Sequence, residues 1–199
     1  MIITLAREFG SGGRELGKRL ADELKVPYYD KEIISSIAEN CKLDERYVEH
    51  FLEEGKGTNF FFTFGHSFGF GSTVNNDLLR TIMQEQVSVM RKLAETDCVI
   101  VGRCADVLLS DLNPFRIFVY GEMEKKIERC RHRQPELSDK EIEKFLKKID
   151  KDRARLYAMY SDIPWGDKRG YDLLINTSGK DLKLLASILA TYIRGLYKK

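Results

Sequence analysis

Residues 2–16 read Ile2-Ile3-Thr4-Leu5-Ala6-Arg7-Glu8-Phe9-Gly10-Ser11-Gly12-Gly13-Arg14-Glu15-Leu16, and this stretch decides the fold. The apolar run Ile2 to Ala6 predicts a short buried strand and the glycine-rich Arg7 to Gly13 a loop. Leu16, Leu20, Ala21 and Leu24, at near-helical spacing, predict the helix that follows. Successive glycines before a helix let backbone N–H groups converge on an anion. Against the phosphate-loop pattern G-x-x-x-x-G-K-[ST], Arg7 takes the first glycine position, Gly13 the lysine position and Arg14 the Ser/Thr position. By themselves, the same glycines also fit a tight turn that needs positive φ.

Downstream, strand and helix patterns keep alternating. Val26 to Tyr29 predicts a second strand ending at Asp30, and Lys31 to Glu54 is helical, with Asp44 as the N-cap of a second helix. The segment 55–76 has no clear period and carries Phe60, Phe61, Phe62, Phe64, Phe68 and Phe70. That many phenylalanines predict a loop or hairpin that packs on its own domain or on a second subunit, so the sequence allows a homodimer. Asp77 to Glu95 reads as a helix with Leu78, Ile82, Met83, Val87, Met90 and Leu93 as its buried stripe. Cys98 to Val101, Phe115 to Tyr120 and Leu173 to Ile175 read as strands. Glu122 to Arg133, a capping-box helix from Ser138 and Glu141 to about Tyr160, and Asp181 to Tyr197 read as helices. Alternation of this kind favours a parallel sheet covered on both faces, a three-layer α/β core. One domain spans 1–199, with an insertion at about 31–76 and a basic excursion at about 131–168.

The chain has 199 residues, 43% hydrophobic and 32% charged, with 33 Lys and Arg against 31 Asp and Glu, a net charge of +2. This composition excludes a disordered chain and is far from that of a dedicated nucleic-acid binder. The longest apolar runs are too short to span a bilayer and the N-terminus has no signal-peptide pattern, so a cytoplasmic setting without a membrane partner is expected. Cys41, Cys98, Cys104 and Cys130 form no CxxC pair and read as reduced packing residues.

Two further constellations carry chemistry. Val99-Ile100-Val101-Gly102-Arg103-Cys104-Ala105-Asp106 delivers an arginine and a carboxylate at the C-terminal end of a strand, where open α/β sheets bind ligands. Arg103 there suits bidentate phosphate contact, or an ion pair with Asp106. Over 116–160 the chain carries 13 Lys and Arg against 9 Asp and Glu. Arg131 and Arg133 close one helix, Arg129 reads as solvent-facing, and Asp150, Arg153 and Tyr157 share one side of the next helix.

These segments, together with Tyr29-Asp30, Asp150-Lys151-Asp152-Arg153, Trp165-Gly166 and Tyr171 to Thr177, resemble the cytidylate kinase-like family, which is related to CMP kinase and other P-loop nucleoside monophosphate kinases. The resemblance covers essentially the whole chain. It implies a five-stranded parallel sheet with a phosphate loop, a monophosphate-binding insertion and a helical lid. It further implies that Gly10, Ser11, Gly12 and Gly13 cradle donor phosphates, with Arg7, Arg14 and Lys18 beside them. Asp30, Arg103 and Asp106 would hold the acceptor, Arg131, Arg133 and Arg153 would serve as lid arginines, and Asn176 and Thr177 would hold the donor base. ATP is the implied donor, and Mg²⁺ is expected with no protein ligand identified. The departures are Cys104 in place of the aspartate of Gly-Arg-Asp, Leu146 and Lys147 in place of the first Arg and Asp of the lid pattern, and the missing loop lysine and hydroxyl. The expected activity is ATP-dependent phosphoryl transfer to a small acceptor, a nucleoside monophosphate above all, with Arg14 or Lys18 replacing the lysine and Arg7 as competitor. The alternative is a nucleotide- or phosphate-binding regulatory module without turnover.

Overall fold

The computed structural model describes residues 1–54 and 76–197. The phenylalanine-rich run Phe60 to Phe70, and with it the packing role and subunit contact expected of it, lies outside the described residues. The strands are β1 (Ile2–Arg7), β2 (Tyr28–Tyr29), β3 (Cys98–Val101), β4 (Phe115–Tyr120) and β5 (Leu173–Asn176). The helices are α1 (Gly13–Leu24), α2 (Glu32–Cys41), α3 (Glu45–Glu54), α4 (Asn76–Leu93), α5 (Ala105–Leu108), α6 (Met123–Arg131), α7 (Asp139–Tyr157) and α8 (Leu182–Tyr197). The sheet order is β2-β3-β1-β4-β5, and every pairing is parallel.

Parallel pairing sends the C-terminal end of every strand to one edge, so the loops after β1, β2, β3, β4 and β5 meet there. β1 lies between β3 and β4 and is buried from Ile3 onward, as an apolar run covered on both faces must be. Ile3 and Leu5 pack with Leu16, Leu20, Ala186 and Leu189 on the face covered by α1 and α8. Ile100 packs with Ile33, Ile37, Ile82 and Met90 on the other. These are the outer two of the three layers.

The capping box that starts α7 is present: Glu141 N–H donates to Ser138 Oγ (3.4 Å) and Ser138 N–H to Glu141 Oε2 (2.9 Å). Two expectations shift. β2 covers Tyr28–Tyr29 alone, although Pro27 O still accepts from Val99 N–H at 2.9 Å. On α4 the buried stripe runs through Gln86 and Val89 instead of Val87. The cause is polar, since Gln86 is drawn inward by a backbone carbonyl of the site. The cysteines are free thiols, with Cys98, Cys104 and Cys130 buried.

Candidate active site

The loop after β1 wraps the N-terminus of α1. Gly10 (φ 76°) and Gly12 (φ 82°) take the left-handed turns that point successive N–H groups outward. A side chain at Gly10 would press on Lys126 and Cys130, and one at Gly12 on Arg129 and Leu182. Ser11 is fully buried and donates from Oγ to Glu8 O (2.8 Å). Among the described residues the N–H groups of Gly10, Gly12 and Arg14 have no acceptor, whereas Phe9 N–H donates to Asp150 Oδ1 (2.7 Å). An open N–H array at a helix start is an anion cradle.

The two departures from the standard loop are one event in space. A Cβ on Gly13 would lie 2.6 Å from Arg7 Cβ, so the Arg7 side chain runs through the volume where a lysine at position 13 would begin. Its guanidinium continues to the end of β3, where a side chain on Gly102 would overlap Arg7 Nη1. There Arg7 pairs with Asp30 Oδ1 (3.5 Å), and Arg14 forms a closer ion pair with Asp30 Oδ2. Burial first, then Arg153, Arg103 and Arg14, push the Arg7 pKa down to about 9, with Asp30 opposing them. Arg7 is still a cation at neutral pH. It is a crowded one.

After β3 the chain makes three left-handed residues in a row, Gly102 (φ 77°), Arg103 (φ 58°) and Cys104 (φ 56°). For the two with side chains this conformation costs about 1–2 kcal/mol each. The turn is clamped from outside: Gln86, fully buried on α4, donates from Nε2 to Arg103 O at 2.6 Å, and Tyr160 Oη reaches Gln86 Oε1 at 3.4 Å. Strain held in this way aims a side chain. A polar residue on an apolar stripe is the sequence signal that could have found Gln86.

The pocket beside this turn is lined by Arg7, Arg103, Asp106, Arg153, Tyr157 and Trp165, is open to solvent and is small, with a volume of about 40 Å³. Asp106 is 4% exposed and accepts from Tyr157 Oη (2.8 Å). Burial raises its pKa, and the Tyr157 hydrogen bond works against that rise. Burial likewise pushes the Cys104 thiol far up, so it is inert. Of the three residues that share one side of α7, Arg153 and Tyr157 line this pocket, and Asp150 lies one turn back under the glycine loop. Asp150 takes the Phe9 N–H, Tyr157 takes Asp106, and Arg153 Nη1 donates to Arg7 O (3.1 Å) while its guanidinium lies over the Phe9 ring.

Under the loop lies a second charged cluster. Lys126 of α6, 4% exposed, bonds Glu8 Oε2 (2.8 Å) and sits 3.5 Å from Asp150 Oδ2, and Glu8 also accepts from Gly121 N–H. Arg129 is not solvent-facing: its Nη1 donates to Gly10 O at 2.7 Å, because Gly12, without a side chain, leaves room for the guanidinium against the loop. Arg131 is exposed and pairs with Asp139, and Arg133 is exposed just past the end of α6. Lys18 is exposed one turn beyond Arg14. Thr177 is buried, donates from Oγ1 to Ser11 O (2.5 Å), and so ties the loop to the end of β5, while Asn176 Oδ1 accepts from Ser178 N–H. Lys126 and Glu8 escaped the sequence reading because charged residues in a basic, surface-like helix and a glycine loop carry no mark of burial.

The cytidylate kinase-like family model matches residues 2–179. The chain belongs to this family. The cytidylate kinase-like chain is similar over 98% of its length, and of the other's, to an uncharacterized protein from Eubacterium ventriosum (28% identity, TM-score 0.71). Its fold also matches shikimate kinase from Acinetobacter baumannii in complex with shikimate (16% identity, 100% and 95% of the two chains, TM-score 0.54). A second match is shikimate kinase from Bacteroides thetaiotaomicron (18%, 98% and 97%, TM-score 0.54). No curated protein matches. The five-stranded parallel α/β fold is that of P-loop kinases, and family membership supports phosphotransfer of the nucleotide-kinase kind. Among the described residues no helix is long and apolar enough to cross a membrane, and no group of His, Cys, Asp or Glu is gathered for a metal ion.

Proposed function

We propose that this kinase-like protein moves the terminal phosphoryl group of a nucleoside triphosphate, ATP in the first instance, to a small acceptor carrying an anionic group, a nucleoside monophosphate above all. The observation that carries this reading is the gathering of Arg14, Arg103 and Arg153 around the buried Arg7, next to a loop with open amides. Guanidiniums gathered this closely repel one another, and an arriving anion relieves that repulsion. Donor phosphates take the N–H groups of Gly10, Gly12 and Arg14, with Arg129 alongside. The acceptor's phosphate takes Arg103 and Arg153 in the pocket. Between the two, Arg7 and Arg14 stand where charge builds on the group in flight, and this chemistry asks for positioning and charge stabilisation more than for covalent help.

Magnesium belongs here to the nucleotide. Arg14 occupies the position of the loop's usual hydroxyl ligand, and a guanidinium paired with Asp30 has no lone pair to offer, so that position does not fit a metal and no step passes through one. Arg131 and Arg133, exposed in this state, reach the donor only if the segment 131–168 closes over it as a lid.

A regulatory module that binds the same ligands without turnover is favoured by one observation, the half-exposed Arg14 already satisfied by Asp30. A coupled assay of ADP release across a panel of nucleoside monophosphates separates the two readings. Acceptor-dependent ADP release supports the kinase. Thermal stabilisation by ATP and a monophosphate without any release supports the module.

A further inference from the structure

We propose that Gln86 of α4 is a positioning residue for the acceptor arginine: its amide holds the turn after β3 left-handed, and Tyr160, beyond the end of α7, keeps that amide the right way round. This role presupposes the phosphotransfer reading above, for which it names what sets Arg103.

On α4 the residues Ile82, Gln86 and Met90, four apart, are all fully buried. Packing alone calls for a third apolar side chain in that row, and a buried amide is unfavourable unless it is bonded. Gln86 Nε2 donates to Arg103 O at 2.6 Å, the main chain of the residue whose side chain lines the pocket with Arg7 and Arg153. The turn needs such a hold. Arg103 (φ 58°) and Cys104 (φ 56°) are both left-handed, a conformation that residues with a Cβ adopt singly and seldom in succession. Relaxing to negative φ would relieve both. At Arg103 it would also swing Cβ about a backbone anchored in β3, and the guanidinium at the far end of the side chain would leave the pocket.

The direction of the amide is decided at its other end. Arg103 O can only accept, so the NH2 of Gln86 must face it. Tyr160 Oη donates to Gln86 Oε1 (3.4 Å), and with the amide reversed two oxygens would face each other at the turn. Tyr160 also packs against the cluster of Cys104, Leu156 and Tyr157. The turn is thus gripped twice, from α4 through the carbonyl of Arg103 and from the end of α7 through the side chain of Cys104. Tyr160 takes part in both grips. The setting of Arg103 therefore depends on where α7 lies, which ties acceptor binding to the segment 131–168.

The test compares Gln86→Met, which keeps the bulk of the side chain and removes the amide, with Tyr160→Phe, which removes one hydroxyl. On the nucleoside monophosphate that the native protein phosphorylates best, Gln86→Met should raise the acceptor KM about tenfold and Tyr160→Phe about threefold, with kcat and the KM for ATP held within about twofold. In an Arg103→Ala background, Gln86→Met should add less than about twofold, because a residue that acts through Arg103 then has nothing to position. A fall in kcat at unchanged KM, or full additivity with Arg103→Ala, overturns the proposal. Hydrogen exchange without nucleotide separates its failure from that of the phosphotransfer reading. The N–H groups of Ala105 and Val107, bonded to Gly102 O and Cys104 O, should exchange faster in Gln86→Met than in the native protein. Unchanged exchange overturns the hold of Gln86 on the turn, whatever the kinetics. Faster exchange in a protein that releases no ADP with any monophosphate overturns the phosphotransfer reading and leaves that hold standing.

Discussion

The two sides of the glycine loop carry charge in opposite ways. On the side facing β3, the guanidiniums of Arg14, Arg103 and Arg153 crowd around the buried Arg7, with Asp30 paired to Arg7 and Arg14 and Asp150 3.7 Å from Arg153. On the side facing α6, Lys126 is shared by Glu8 and Asp150, with Phe9 N–H on the other oxygen of Asp150 and Gly121 N–H on the same Glu8 oxygen that takes Lys126. A network of opposite charges bonded to backbone N–H groups holds a loop in one shape, while several like charges gathered on one buried arginine favour an incoming counter-charge. The loop is therefore built on the α6 side and used on the β3 side.

The sharpest way to break this comparison is to remove one cation from each side. Lys126→Met takes from Glu8 its cation and leaves Asp150 with Arg153 alone, and losing one member of a buried ionic network costs about 3–5 kcal/mol, a fall of roughly 10 °C in Tm for a chain of this size. Arg7→Ala relieves repulsion among arginines and should leave Tm within about 3 °C, while losing the rise in Tm that ATP and a nucleoside monophosphate are expected to give the native protein. Equal losses of Tm in the two variants would erase the distinction between frame and site.

Next in size is turnover. Arg7→Ala should lower phosphoryl transfer about a hundredfold, the upper range for a charge-assisted contact. Because Arg7 and Gly13 compete for one volume, Gly13→Lys alone should fold poorly, whereas Arg7→Gly with Gly13→Lys restores the standard loop and should recover nucleotide binding. A double variant no better than Gly13→Lys would mean that the cation cannot be moved from strand to helix.

Arg103→Ala should raise the acceptor KM roughly ten- to a hundredfold with little change in kcat, since one phosphate contact contributes about 1.5–3 kcal/mol. Arg14→Ala should do the reverse, lowering kcat roughly tenfold at nearly constant KM. Its effect is the smaller because Arg14 is half exposed and held by Asp30. Kinetics on the acceptor that the panel reveals decide between them.

The frame of the molecule was readable because each local signal agreed with the fold. The buried run Ile2 to Ala6, the glycines before Leu16, and the capping box at Ser138 and Glu141 each name their own conformation. The site was readable where a residue sits at a strand end, as Asp30 and Arg103 do. It was hidden where roles depend on contacts far apart in sequence. Arg129 resembles any surface arginine until α6 is docked over Gly10, and Lys126 any surface lysine until Glu8 lies 2.8 Å away. Gln86 breaks an apolar stripe for a carbonyl 17 residues further on. Nothing in the pattern marks Arg7 and Gly13 as a linked pair, since their contact exists only when strand and helix are side by side.

The smallest expected effect concerns the pocket's inner end. Burial raises the pKa of Asp106 above its ordinary 3.8, so the folded protein holds that proton more tightly than the unfolded chain does. Stability from this group is then fully present below pH 3.8 and is lost as pH rises through the folded value, where the carboxylate must be charged in a buried place. Asp106→Asn keeps an oxygen for Tyr157 Oη but has no charge to bury. Its Tm should exceed the native one by about 2 °C near pH 8, and the advantage should vanish toward pH 4. The difference bears on the two-sided comparison, because a neutral Asp106 leaves the pocket purely cationic toward an acceptor phosphate, whereas an ionised one repels it. An advantage that stays constant with pH, or a variant less stable at pH 8, would show that Tyr157 holds Asp106 as a carboxylate and that the acceptor site carries an anion at its floor.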